Sequence, residues 1–194
     1  MLAILTSCAS FSENESVYKT TRQQPGNKNL LLIPKHWVLK GKIAIISEED
    51  NWHAGFQWSK QTLMQDSEQR KLVFSGPFGE TQMELSQVKH GNTEFNRLAM
   101  NGEIYTDFSL QQLLSKQFGF EIPLPSLEHW IFGQTNPLID FKVVTLSKSG
   151  QLLKIIQHDW KIQYTYKSLQ SDFPIKVIAE NKAYRIKVFI RNRA

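Results

Sequence analysis

Residues 51–58 read Asn51-Trp52-His53-Ala54-Gly55-Phe56-Gln57-Trp58. Trp52, Ala54, Phe56 and Trp58 fall on one side of an extended chain, and His53, Gly55 and Gln57 fall on the other. Successive side chains of a strand point to opposite faces, so this stretch predicts a strand with one apolar and one polar face. The same period recurs further along. Leu72 and Phe74 lead into Gly76-Pro77-Phe78-Gly79, after which Thr81, Met83 and Leu85 alternate with Glu80, Gln82 and Glu84. Trp160, Ile162, Tyr164 and Tyr166 alternate with Lys161, Gln163, Thr165 and Lys167, and Tyr184, Ile186, Val188 and Ile190 share a face near the end of the chain. Strands of this kind belong to an antiparallel sheet with one side in water. Asn101-Gly102, Ser149-Gly150 and Glu180-Asn181-Lys182 supply hairpin turns.

Two stretches depart from period two. Asp107 is positioned to cap a helix carrying Leu110, Leu113, Leu114 and Phe118, with Gly119 ending it. After Ile122-Pro123-Leu124-Pro125, Ser126 is positioned to cap a second short helix bearing Leu127, Trp130 and Ile131, closed by Gly133. Strands, a helical insertion and strands again imply an α+β fold: a curled antiparallel sheet with a helical plug or lid. Its apolar face either packs solid or encloses an apolar ligand cavity, since both need the same side chains.

Of 194 residues, 41% are hydrophobic, enough for one domain with a core. No run approaches the roughly 18 apolar residues of a membrane-spanning helix. The formal charge is +5 and the pI about 9.3, a balance that favours anionic partners. Yet Lys161, Lys167, Arg185, Lys187 and Arg191 occupy alternate positions of expected strands, so they decorate outward faces instead of forming a compact patch. Nucleic-acid binding is not expected. The aromatics share faces with Ile, Val and Met, as in an apolar interior and not a base-stacking platform. Residues 9–33 are rich in Ser, Asn, Gln, Lys and Glu, a composition that suits a tether.

Catalytic chemistry is hard to place in this chain. His36, His53, His90, His129 and His158 are scattered, and none has a paired metal-ligand spacing. No nucleophile elbow or Gly-rich phosphate loop is present. His158-Asp159 reads as a hairpin turn before half of a triad. Two features remain. Leu5-Thr6-Ser7-Cys8 has the form of a bacterial lipobox and contains the sole cysteine, which predicts acylation of Cys8 after removal of residues 1–7 as the remnant of a signal peptide. Phe78 stands between Pro77 and Gly79, and either folds back over the sheet edge or forms an exposed apolar tip.

Taken in order, these elements resemble the LolB family. The resemblance rests on the lipobox at Cys8, the strand ending in Trp58, and Gly76-Pro77-Phe78-Gly79 leading into Glu80 to Leu85. It continues with Ile122 to Leu127 running into Trp130-Ile131-Phe132-Gly133, and with Asp159-Trp160-Lys161. It implies a single lipoprotein-binding domain over 34–194, an incomplete antiparallel β-barrel with helices covering a hydrophobic cavity, behind a lipidated N-terminus and tether over 8–33. It also implies a monomer, lipid-anchored at the outer membrane and facing the periplasm, that takes client lipoproteins by their acyl chains from the carrier LolA. Delivery would be into outer-membrane phospholipid, without enzyme chemistry, cofactor or metal. The cavity wall is expected to include Phe56, Trp58, Met83, Leu113, Trp130 and Ile131. Phe78, flanked by Gly76, Pro77 and Gly79, occupies the membrane-insertion tip, where the family is associated with leucine. Ala9, following Cys8, is consistent with outer-membrane sorting. The other readings are a soluble LolA-like carrier, a structural envelope lipoprotein and, least favoured, a lipid hydrolase.

Overall fold

The computed structural model describes residues 33–64, 67–107, 109–118 and 122–194. Cys8 and nearly all of the expected tether lie outside them. The strands are β1 (Trp37–Ile46), β2 (Asn51–Met64), β3 (Ser67–Ser75), β4 (Thr81–His90), β5 (Thr93–Met100) and β6 (Glu103–Asp107), then β7 (Phe141–Leu146), β8 (Leu152–Gln157), β9 (Trp160–Thr165), β10 (Lys176–Glu180) and β11 (Arg185–Arg193). Between β6 and β7 lie α1 (Leu110–Phe118) and α2 (Leu124–Trp130).

All the strands form one 11-stranded antiparallel sheet in the order β6-β5-β4-β3-β2-β1-β11-β10-β9-β8-β7. Each half is a meander of neighbouring hairpins, and the two halves join where β1 pairs β11. The expected alternation is present: Ala54, Phe56 and Trp58 are buried, as are Trp160, Ile162 and Tyr164, and Lys161 and Thr165 are exposed. Asn101 and Gly102 form the β5–β6 turn at φ 54° and 80°, the left-handed geometry that a two-residue hairpin needs. One glycine serves the central seam. At the bulge between Lys40 and Gly41, a Cβ on Gly41 would lie 2.0 Å from the Phe189 carbonyl oxygen and 2.8 Å from Phe56 Cε1.

Because β6 and β7 are the outermost strands, the segment joining them crosses one face of the sheet, and both helices lie in that crossing. The helix boundaries differ from expectation in detail. Ser109, not Asp107, caps α1: its Oγ accepts the Gln112 amide at 3.3 Å, and Asp107 Oδ1 accepts the Ser109 amide at 3.1 Å. Helix α2 begins two residues before Ser126, with Pro123 at its N-cap and no side-chain cap. Pro125, in the first turn, has no N–H, so one of the amides a capping hydroxyl would receive is absent. Ser126 is buried instead, its Oγ accepting from Asn136 Nδ2 at 3.1 Å.

Leu124, Leu127 and Ile131 pack against Ile43, Phe56, Phe74 and Val188, leaving a void of only about 10 Å³. Trp37 meets Trp58 and Phe132 edge-on at 5.6 and 5.3 Å. Arg193 Nη2 donates to the Ile131 carbonyl at 3.0 Å and its guanidinium lies 4.2 Å from the Phe173 ring centre, so the last strand pins the turn after α2. These contacts come from both halves of the sheet, which therefore curls around α2.

A buried polar hub orders the segment after α2. Gln157, only 1% exposed, accepts from Trp130 Nε1 and the Asn136 amide and donates to the Asn136 and Ile139 carbonyls, at 2.8–3.0 Å. Gln157→Leu leaves those groups unpaired in the interior. Urea unfolding is expected to show a loss of about 3 kcal/mol, given that each buried unsatisfied group costs on the order of 1–3 kcal/mol. A loss below about 1 kcal/mol would mean that these bonds do not hold the segment.

Candidate functional site

Cross-strand register sorts the inward face of β2 to β5 into rows. Phe56, Phe74, Met83 and Met100 face one another in sequence across the four strands, and Trp58, Leu72, Leu85 and Leu98 form the next row. Beyond them come Lys60, Arg70, Gln87 and Asn96, then Thr62, Glu68, Lys89 and Glu94. The face is apolar for two rows and polar for the next two. A cavity of about 680 Å³ spans this boundary, within the roughly 300–1,000 Å³ usual for small-molecule sites. Trp58, Leu72 and Leu85 form its apolar floor; Leu110 and Leu114 of α1 and Leu124 of α2 form the opposite wall.

The expected wall residues separate. Trp58 lines this cavity, whereas Phe56 and Ile131 border the small void under α2 together with Trp58. Met83 lies beside Trp52 and Met100 in a different cleft of about 470 Å³. Leu113 is buried in the core, next in sequence to Leu114, which reaches the cavity. Trp130, 1% exposed and bonded to Gln157, borders a separate groove that also contains Trp160. The reason is packing: α2 presses so closely on the sheet's centre that the space beneath it is nearly filled, and the expected wall residues are divided among the core and separate clefts.

The charged rows have one signal in the sequence: Lys60 and Arg70 continue the period of Trp58 and Leu72. Glu128 on α2, only 8% exposed, receives Arg70 Nε at 2.8 Å and lies 3.9 Å from Lys60 Nζ. Gln87 Nε2 donates to Glu94 Oε1 at 2.9 Å and Asn96 Oδ1 at 3.0 Å. His129, on the same wall, has a buried Nδ1 with no hydrogen-bond partner. Burial holds its pKa below the ordinary histidine value; Glu128 opposes this, and Lys60 and Arg70 reinforce it. The cavity mouth carries Leu138, 92% exposed, whose amide donates to Asn136 Oδ1 at 3.0 Å.

Away from the cavity stands the turn after β3. The Gly76 amide donates to the Glu80 carbonyl at 3.0 Å, the Gly79 amide to the Gly76 carbonyl at 3.1 Å, and the Phe78 amide to Glu80 Oε2 at 3.2 Å. Gly79 has φ 86°, which favours glycine. The closed turn leaves Phe78 97% exposed, so the side chain does not fold back over the sheet edge. Among the described residues, no three His, Cys, Asp or Glu side chains are grouped to hold a metal ion.

Two outcomes follow from the cavity. Leu110→Trp places a larger ring in the open volume and should weaken binding of an alkyl-chain fluorophore on the order of tenfold, read by titration. Unchanged binding would put the ligand elsewhere. His129, with its folded-state pKa below the unfolded one, contributes stability that is complete above the ordinary histidine value of about 6.5 and is lost as pH falls through the folded value. Denaturation from about pH 7 to about pH 5 should therefore destabilise the wild type more than His129→Gln.

The model of the outer membrane lipoprotein LolB family matches residues 35–192. An outer-membrane lipoprotein LolB of Nitrosococcus oceani is 27% identical over 157 residues, 79% of this chain and 74% of its own length. The LolB of Shewanella frigidimarina is 33% identical over 64% of this chain, and the chain spans 56% of that protein. That of Shewanella amazonensis is 28% identical over 75% of this chain and 66% of its own. Among solved structures, a domain described as an outer membrane lipoprotein-sorting protein of Vibrio parahaemolyticus superposes with TM-score 0.51 at 7% identity, covering 82% of this chain and 84% of that one. A DUF1329 family protein of Desulfovibrio piger gives 0.50 at 8% identity, covering 82% and 85%. These likenesses show a shared fold. With the family match running through every strand and both helices, the chain belongs to the LolB family of outer membrane lipoproteins.

Proposed function

We propose that this protein is a receptor at the outer membrane that accepts lipoproteins from the periplasmic carrier LolA and inserts them into the bilayer. Cys8 is the lipid anchor and residues 9–33 the tether, with the folded domain facing the periplasm as a monomer. The observation that carries the reading is the 680 Å³ cavity with an apolar floor, in a chain of this family. Acyl chains need such a floor, which the Trp58 row supplies, with α1 and α2 as the opposite wall. Transfer needs no nucleotide: a tenfold preference over the carrier is about 1.4 kcal/mol, which burial of roughly 55 Å² more apolar surface provides at about 25 cal/mol per Å².

Phe78 supplies the delivery step. An exposed phenylalanine is unfavourable in water and gains about 1.5–3 kcal/mol when its ring enters an apolar phase. Its tight turn holds the ring out, so the backbone need not rearrange for the ring to insert. The basic outer strands suit either the carrier's rim or anionic headgroups.

The test is transfer from LolA loaded with a lipoprotein to the purified, membrane-anchored protein. The wild type should take the client and pass it to liposomes. Phe78→Glu should still take the client but deliver it at least about tenfold more slowly, and Phe78→Leu should restore delivery. Normal delivery by Phe78→Glu would remove the tip from the mechanism. No uptake at all would leave an envelope lipoprotein without transfer activity.

A further inference from the structure

The cavity beside α1 has a lip. Among the described residues that line it, Lys89, Pro125 and Leu138 are exposed and the others are buried or half-buried, so the volume opens to solvent beside these three. Lys89 lies near the end of β4, Pro125 in the first turn of α2, and Leu138 in the segment between α2 and β7. Asn136, itself buried, ties Leu138 to α2. Its Nδ2 donates to Ser126 Oγ at 3.1 Å, next to Pro125, and its Oδ1 accepts the Leu138 amide at 3.0 Å. The Asn136 and Ile139 carbonyls both accept from Gln157 Nε2, at 2.8 and 2.9 Å. The backbone is therefore fixed on both sides of Leu138, whose side chain is 92% exposed. A single exposed leucine is ordinary on a protein surface. This one is held in place at the opening of a volume whose floor is apolar.

We propose that Leu138, with Pro125 beside it, is the receiving lip of the cavity, over which an alkyl chain slides toward the floor of Trp58, Leu72 and Leu85. The inference rests on the reading of the cavity as an acyl-chain site. Part-way in, a chain has left its previous apolar surroundings and has not reached the floor. Methylenes in water at that point raise the barrier, and an apolar side chain at the opening covers some of them. Each methylene kept from water changes a rate about fourfold. For a free ligand, exit is entry in reverse, so a lip alters both rates together and hardly moves the equilibrium. A wall residue behaves otherwise: its loss weakens the bound state and speeds dissociation alone. Leu138 borders the cavity and Phe78 stands away from it, so reception and delivery fall to two different exposed side chains.

The experiment is stopped-flow binding of an alkyl-chain fluorophore to the full-length protein, run beside transfer from LolA loaded with a lipoprotein. Leu138→Ser should lower the association and dissociation rates of the fluorophore about fourfold each, with Kd within about twofold of the wild type. Because the side chain is exposed, the substitution leaves the fold intact. Leu138→Met, which returns an apolar chain of similar size, should restore both rates. Uptake from loaded LolA should slow in Leu138→Ser by a similar factor. An unchanged association rate of the fluorophore overturns the proposal. So does a weaker Kd that comes from dissociation alone, which would make Leu138 part of the wall. Slower uptake from LolA with normal fluorophore kinetics would make Leu138 a contact for the carrier, and overturns the proposal too. If the wild type binds no fluorophore, the acyl-chain reading itself fails, and this inference with it.

Discussion

The pairing of β1 with β11 is the constraint on which the rest depends. It joins two meanders into one sheet, with register running from Leu39 opposite Arg193 to Ile46 opposite Arg185. Once that seam forms, β6 and β7 are driven to opposite edges, and the chain between them has to cross the inward face. Loop-like crossing chain would bring unpaired backbone polar groups into the interior. Short helices meet that need within their own turns, and their apolar sides bury on the sheet. The edges themselves are kept weak: β6 has 5 residues, and β7 carries two register shifts against β8. Short and irregular edges are poor templates for adding further strands.

The same crossing divides the interior into solid and hollow parts. Under α2, Leu124, Leu127 and Ile131 fill the space against β1, β2, β3 and β11 nearly to completion. Beside α1 the sheet continues to β5, and open volume remains. Glu128 joins the regions. Its carboxylate draws Arg70 and Lys60 toward α2, so the helix is held to the sheet by a charge pair at the place where apolar packing stops. Losing one partner of such an enclosed pair leaves the other charge uncompensated, which is why the helix position and the cavity shape are coupled.

Two apolar features with different roles therefore lie on one pair of strands. From the Gly76–Glu80 turn, β3 and β4 run through Phe74 and Met83, then Leu72 and Leu85, and reach Arg70 and Gln87. Phe78 is at one end of this path and the polar rows at the other. Exposure of Phe78 follows from local geometry, because hydrogen bonds within five residues close the turn. The cavity follows from non-local geometry, because its walls come from β2 to β5, α1 and α2.

Period-two alternation determined the strands, their inward faces and the antiparallel class, since a residue's side of a strand depends only on its neighbours. The helical stretches, the Asn101-Gly102 turn and the family resemblance were legible for the same local reason. Helix starts were less so: Ser126 resembles a cap, but Pro123 begins α2 and Asn136, ten residues on, claims the hydroxyl. Which apolar residues face a cavity was decided by the tertiary structure alone. Phe56, Met83, Leu113, Trp130 and Ile131 are as apolar as Trp58, Leu72 and Leu85, and only their places on the curled sheet and its helices separate packed core from cavity wall. The polar rows belong to the same category. Lys60, Arg70, Gln87 and Lys89 are ordinary strand residues in sequence, and they line one cavity because three neighbouring strands bring them together opposite α1 and α2.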